Sequence, residues 1–137
     1  MDTPQKTPTT IVPLLSVSDG IAAVEFYKAA FGATELMVAK LPGNKVIAEL
    51  AIEGAKFMVA DETPKELGPR SLGGTTVRLN LIVADPDAVA RRAVIAGATL
   101  MFPVTNQPYG LRQGRVVDPF GHHWMIGRPL TPDEQRD

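Results

Sequence analysis

The sequence predicts an α+β protein built from two tandem βαβββ modules. Three features carry that prediction. A strand-like apolar run followed by a capped helix occurs twice, both helices stop at a Gly-Ala-Thr triplet, and both halves close on a similar apolar strand. In the first half, residues 11–17 form the apolar run, and Ser18-Asp19 supplies a helix N-cap. Ile21, Val24, Tyr27 (with Phe26) and Phe31 then fall at helical spacing. Gly32-Ala33-Thr34 ends the helix and leads into an apolar strand at residues 36–39.

The second half repeats the plan. Residues 77–83 alternate apolar and polar side chains, and Asp85-Pro86 combines an N-cap with an N1 proline. Val89, Ala93 and Ala96 continue at helical spacing until Gly97-Ala98-Thr99, and residues 100–102 answer the earlier strand. The later strands of the first module are residues 45–52 and 55–61, joined at Glu53-Gly54. Their counterparts are residues 114–117 and 122–126, joined by the turn Asp118-Pro119-Phe120-Gly121. Phe57-Met58-Val59 and Trp124-Met125-Ile126 are the matching closing strands. The expected division is a disordered or extended tail at 1–10, module one at 11–61, and a Pro/Gly-rich linker at 62–74. Module two follows at 75–128, and a C-terminal tail at 129–137.

At 137 residues the chain suits one domain with a real core. Its net charge of −1 gives no electrostatic reason to expect nucleic acid or an anionic membrane as partner. No apolar run approaches the roughly 20 residues that span a bilayer. Cysteine is absent, which removes disulfides, thiolate metal sites and cysteine nucleophiles, and a cytoplasmic location is the expectation.

The order and spacing of several short words resemble the glyoxalase/bleomycin-resistance, or vicinal oxygen chelate, superfamily. The words are Val17-Ser18-Asp19, Glu25-Phe26-Tyr27, Phe31-Gly32-Ala33, residues 83–88, Ala96-Gly97-Ala98, and above all residues 114–124. Asp118-Pro119-Phe120-Gly121-His122-His123-Trp124 looks most like the PhnB-like branch. The resemblance implies a curled mixed sheet around a cavity, and a homodimer in which two chains complete the sites. Metal-using members carry ligands on the first and last strand of each module. The matching positions here are Val12, Met58, Arg78 and Met125, a set with no metal-ligand chemistry for this purpose.

The histidines point the same way. The chain has two, His122 and His123, adjacent in one strand. Neighbouring strand residues face opposite sides of the sheet, so the two cannot ligate one ion. No metal and no cofactor is expected.

A metal-free cavity would be lined by Met58, Met125, Arg78, Asn80 and His123, which share strand faces by alternation. Arg78 in an apolar strand needs a partner, either a ligand or Glu49, unless the strand is an edge exposed to solvent. Residues 106–113 read as a polar loop at the cavity mouth, with Tyr109 to stack on a planar ligand and Arg112 and Gln113 to hydrogen-bond it. His122 is expected to hold a structural hydrogen bond, and Asp118 to cap its turn. The favoured function is metal-independent binding of a small organic molecule, antibiotic sequestration being one form of it. The alternative is an enzyme of this superfamily, a lyase, isomerase or dioxygenase. It would use metal-free catalysis through His123 and Tyr109, or metal ligands that these words do not reveal.

Overall fold

The computed structural model describes residues 6–135; the outermost parts of both tails, 1–5 and 136–137, lie outside the described residues. Module one comprises β1 (Leu14–Val17), α1 (Gly20–Phe31), β2 (Thr34–Leu41), β3 (Lys45–Ile52) and β4 (Ala55–Asp61). A short helix, α2 (Pro69–Leu72), lies between the modules. Module two comprises β5 (Arg78–Ile82), α3 (Pro86–Ala96), β6 (Thr99–Asn106), β7 (Leu111–Val117) and β8 (His123–Pro129), followed by α4 (Pro132–Gln135).

Each module forms one four-stranded mixed sheet, ordered β1-β4-β3-β2 and β5-β8-β7-β6. In each, the first strand runs parallel to the last, and the remaining pairs are antiparallel. The fold is therefore α+β with a duplicated βαβββ unit, and within the chain neither sheet closes on itself. No helix among the described residues is long and apolar enough to cross a membrane.

Both long helices begin where the sequence predicts. Asp19 accepts from the Ala22 amide at 3.1 Å, and Asp85 accepts from the Ala88 amide at 3.2 Å. Gly32 ends α1 at φ 67°, a left-handed backbone that glycine adopts at no steric cost. At the start of α1 the Asp61 carboxylate accepts from the Gly20 amide (2.9 Å) and the Val46 amide (2.8 Å), stitching helix, β3 and β4 together. A side chain at position 20 would meet Asp61 Oδ2 at 2.4 Å, so only glycine permits this approach.

One core serves both modules. Arg92 on α3 donates to the Ala29 carbonyl on α1 at 2.7 Å, locking the helices together. Between the sheets, Trp124 of module two packs against Phe31 at 4.8 Å and Phe57 at 5.5 Å, both from module one. Tyr27 is fully buried among them, and its hydroxyl donates to Asp118 across the module boundary. Asp118 also accepts from Trp124 Nε1 (2.9 Å) and from the amides of Phe120 (2.9 Å) and His122 (3.0 Å). His122 forms a second stitch between the modules, its Nε2 lying 2.8 Å from the Ser16 carbonyl.

Three regions differ in detail from the sequence expectation. The polar segment 106–113 is half strand: β6 extends to Asn106, β7 starts at Leu111, and a tight turn with Gly110 at φ 88° joins them. Polar side chains disguised a hairpin whose register places Thr105 opposite Gln113 and Asn106 opposite Arg112. The linker contains α2 and a Thr63–Glu66 bridge. The C-terminal tail contains α4, opened by a reciprocal cap in which the Thr131 amide donates to Glu134 (2.9 Å) and the Glu134 amide to the Thr131 hydroxyl (3.2 Å). Arg128 grips the same carboxylate with two hydrogen bonds of 2.8 Å.

Removing the Tyr27 hydroxyl leaves the buried Asp118 short of one donor, so Tyr27→Phe should cost about 1–3 kcal/mol in chemical denaturation. Burial, then the nearby Asp118 charge, raises the Tyr27 pKa well above the ordinary 10.0. The stability that neutral Tyr27 contributes is complete below pH 10 and is lost as the pH climbs above it. The wild-type chain should consequently lose stability faster than Tyr27→Phe over that alkaline range. At the acid end, Arg128 and then the Thr131 amide depress the Glu134 pKa to about 2. The clasp on α4 should hold above pH 4.5 and release as the pH falls toward 2, seen as accelerated amide exchange at Thr131 and Glu134.

Candidate functional site

Strand alternation gives each sheet one face against the helices and one open face. In module one, Leu15, Val17, Leu50, Phe57 and Val59 are buried in the core. Leu14, Met58, Glu49 and Met37 lie in register across the open side. In module two the open side carries three rows: Arg78–His123–Val117, Asn80–Met125–Arg115–Phe102, and Gly127–Gln113–Thr105. Exposed apolar side chains border both faces, with Leu14 at 53%, Phe102 at 52% and Ile82 at 51%.

The second face contains a cavity of about 330 Å³, bordered by Phe102, Thr105, Gln107, Tyr109, Gln113, Arg115 and Met125. Gln113 organises it. This side chain, only 3% exposed, accepts from the Tyr109 hydroxyl at 2.6 Å and donates to Asn80 Oδ1 at 3.3 Å. Gln107 fixes the same strand by donating to the Gln113 carbonyl at 3.0 Å. Gly127 makes room for Gln113, because a Cβ at 127 would stand 3.1 Å from the Gln113 Cβ and 2.7 Å from the Arg112 carbonyl. A half-exposed tyrosine is thereby held as a fixed aromatic wall.

The expected site residues fall in several places. Tyr109, Gln113 and Met125 meet at this cavity, with Asn80 bonded to Gln113. Arg112 is turned away and clamps Asp87 of α3 through bonds of 2.8 and 2.7 Å, which hold the Asp87 carboxyl below its usual range. His123 borders a neighbouring cavity of about 460 Å³, with Thr99, Val117 and Gly74, so it does not meet Tyr109 there. Arg78 is exposed beside His123 in register, and no ion pair joins it to Glu49 among the described residues. Met58 belongs to the open face of the other sheet.

Arg115 was not anticipated. It lies two residues from Gln113 in β7, on the same face by strand period, and that alternation was the available signal. Its guanidinium stands over the Phe102 ring at 5.3 Å. Arg115 Nε and His123 Nδ1 are the two buried side-chain polar atoms without a hydrogen-bond partner among the described residues. Both belong to this face.

A larger groove of about 610 Å³ lies between α1 and the β2–β3 hairpin, with Ile21, Val24 and Val46 in its walls. Its two acids are paired with Lys28, Glu35 at 3.1 Å and Glu25 at 3.6 Å, while Lys40 and Lys45 extend from its rim; no buried side-chain polar atom in its walls lacks a partner among the described residues. The unsatisfied chemistry points to the smaller cavity. Among the described residues, no three His, Asp or Glu side chains converge as a metal-binding group. If Gln113 positions Tyr109, Gln113→Leu should release the ring, broadening its NMR signals and costing about 1–3 kcal/mol through the partners left unpaired. Unchanged Tyr109 signals would refute the positioning role.

The chain is 44% identical over 124 residues to an uncharacterized protein of Mycobacterium bovis, Mb0911c, covering 86% of this chain and 82% of that one. Among solved structures it resembles TioX from Micromonospora sp. ML1, with a TM-score of 0.68, 29% identity and coverage of 90% and 100% of the two chains. TnmS3, an antibiotic binding protein from Streptomyces sp. CB03234, shares the fold at a TM-score of 0.67 and 24% identity, with coverage of 91% and 100%. The family profile matches residues 10–126, and the chain belongs to the Glyoxalase/Bleomycin resistance protein/Dioxygenase superfamily.

Proposed function

We propose that this chain is a metal-independent binding protein that holds a small organic molecule on the open face of its second sheet. A second copy of the chain would cover that face in a homodimer. The observation that carries the reading is the cavity built around the Tyr109–Gln113–Asn80 chain of hydrogen bonds. It combines apolar walls with a few fixed polar groups, the usual make-up of a small-molecule site.

Two further features support it. By the family resemblance Val12, Met58, Arg78 and Met125 stand where metal-using members would carry ligands, and they offer a metal nothing suitable. Apolar side chains exposed along both open faces are the kind of surface that a second subunit covers. TnmS3, which has this fold, is an antibiotic binding protein, and sequestration of such a compound is the role we favour.

The test joins sedimentation, thermal shift and product analysis. The protein should sediment as a dimer and melt higher with a cognate compound, by about 2.7 kcal/mol of stabilisation at a hundredfold excess over Kd. It should return that compound unchanged. A near-stoichiometric transition metal in the untagged protein, or chemical conversion of the compound abolished by His123→Ala, would move the assignment to an enzyme.

A further inference from the structure

Resting on the binding reading above, we infer that the cavity takes an aromatic carboxylate, with Arg115 pairing its anionic group and the ring seated between Phe102 and Tyr109.

The argument begins with charge. Arg115 is always cationic. Its Nε is buried without a partner, and its Nη1 finds only the Met101 sulfur at 4.0 Å. Arg115 is half-buried, and its buried Nε–H lacks an acceptor, a cost that a ligand anion would remove. The open face of module two provides none: its three rows contain two arginines, a histidine, amides, hydroxyls and apolar groups, and no carboxylate. Three acids of the second half of the chain are engaged elsewhere. Asp87 is held by Arg112, Glu134 by Arg128, and Asp118 by Tyr27 and Trp124. Phe102 contacts the guanidinium from one side but accepts none of its in-plane hydrogens.

The walls then select the rest of the ligand. Phe102, Tyr109 and Met125 give flat, polarizable surfaces, and Gln113 fixes the Tyr109 ring in advance. A phosphate would look instead for a helix N-terminus or a run of backbone amides. This cavity is bordered by strands and a hairpin. Its size, about 330 Å³, suits a one- or two-ring compound.

Calorimetric titration of the full chain with 2-naphthoate and its neutral isostere 2-naphthamide tests this. The wild type should bind the carboxylate at least tenfold more tightly. Arg115→Met should bring the two affinities level while leaving that for the amide unchanged, and Arg115→Lys should restore part of the preference. Tyr109→Ala should weaken both probes alike. Circular dichroism melts of each variant identify any loss that reflects unfolding, and Arg115→Lys then decides the outcome. Equal wild-type affinities, with both still sensitive to Tyr109→Ala, overturn the inference and leave the binding site standing. Binding of neither probe overturns the inference, and the binding reading then falls only if a wider thermal-shift screen also finds no organic ligand. Dissociation of the dimer by Arg115→Met and equally by Glu49→Gln overturns it differently, because Glu49 of a second copy then satisfies the arginine.

Discussion

The carboxylate of Asp118 holds the molecule together. Four neutral donors, two from aromatic side chains and two from the backbone, converge on a group that is only 2% exposed. The two amides shape the turn between β7 and β8, and this turn starts β8 in the register that sets every row of the second open face. The two aromatic donors come from opposite modules and fix how the sheets stand relative to one another. A cation in the same place would supply charge without this spread of directions. Donors on four sides position a turn, a helix and a strand at once.

Duplication supplied one scaffold, and side-chain choice then divided the labour. Glu49 lies beside Met58 in the first sheet as Arg115 lies beside Met125 in the second, the same position with opposite charge. Near the start of each helix the modules differ again. Asp61 bonds backbone amides in the first, whereas Arg112 and Asp87 form an ion pair in the second. The open face of module two gained a polar network and an aromatic rim. The open face of module one kept mainly small or apolar groups around a single carboxylate.

Most of the architecture is legible in the sequence because the signals are local. Asp19 and Asp85 start their helices, Gly32 and Gly97 stop them, and period-two alternation marks the strands. At 106–113 the turn between two strands is legible but the strands' reach is not, because their polar ends read as loop, and α4 escaped although Thr131 and Glu134 spell a capping box. The site was only partly legible for a different reason. Alternation tells which residues share a face, and it correctly groups His123 with Met125. It does not tell that Arg112 finds Asp87 on a distant helix, or that His123 and Tyr109 border separate cavities. Those outcomes depend on side-chain direction and on partners far away in the chain.

The shared aromatic core has a bearing on how such a chain arose. Trp124 and Phe120 from the second module fill space between Phe26, Phe31 and Phe57 of the first. Cut at the linker, either half would present an oily surface and a stranded polar group, Tyr27 on one piece and Asp118 on the other. A half-length ancestor with this core would have survived only as a pair. Joining two such halves in one chain turns an encounter between molecules into a tether, and lets each half carry side chains that its twin does not share.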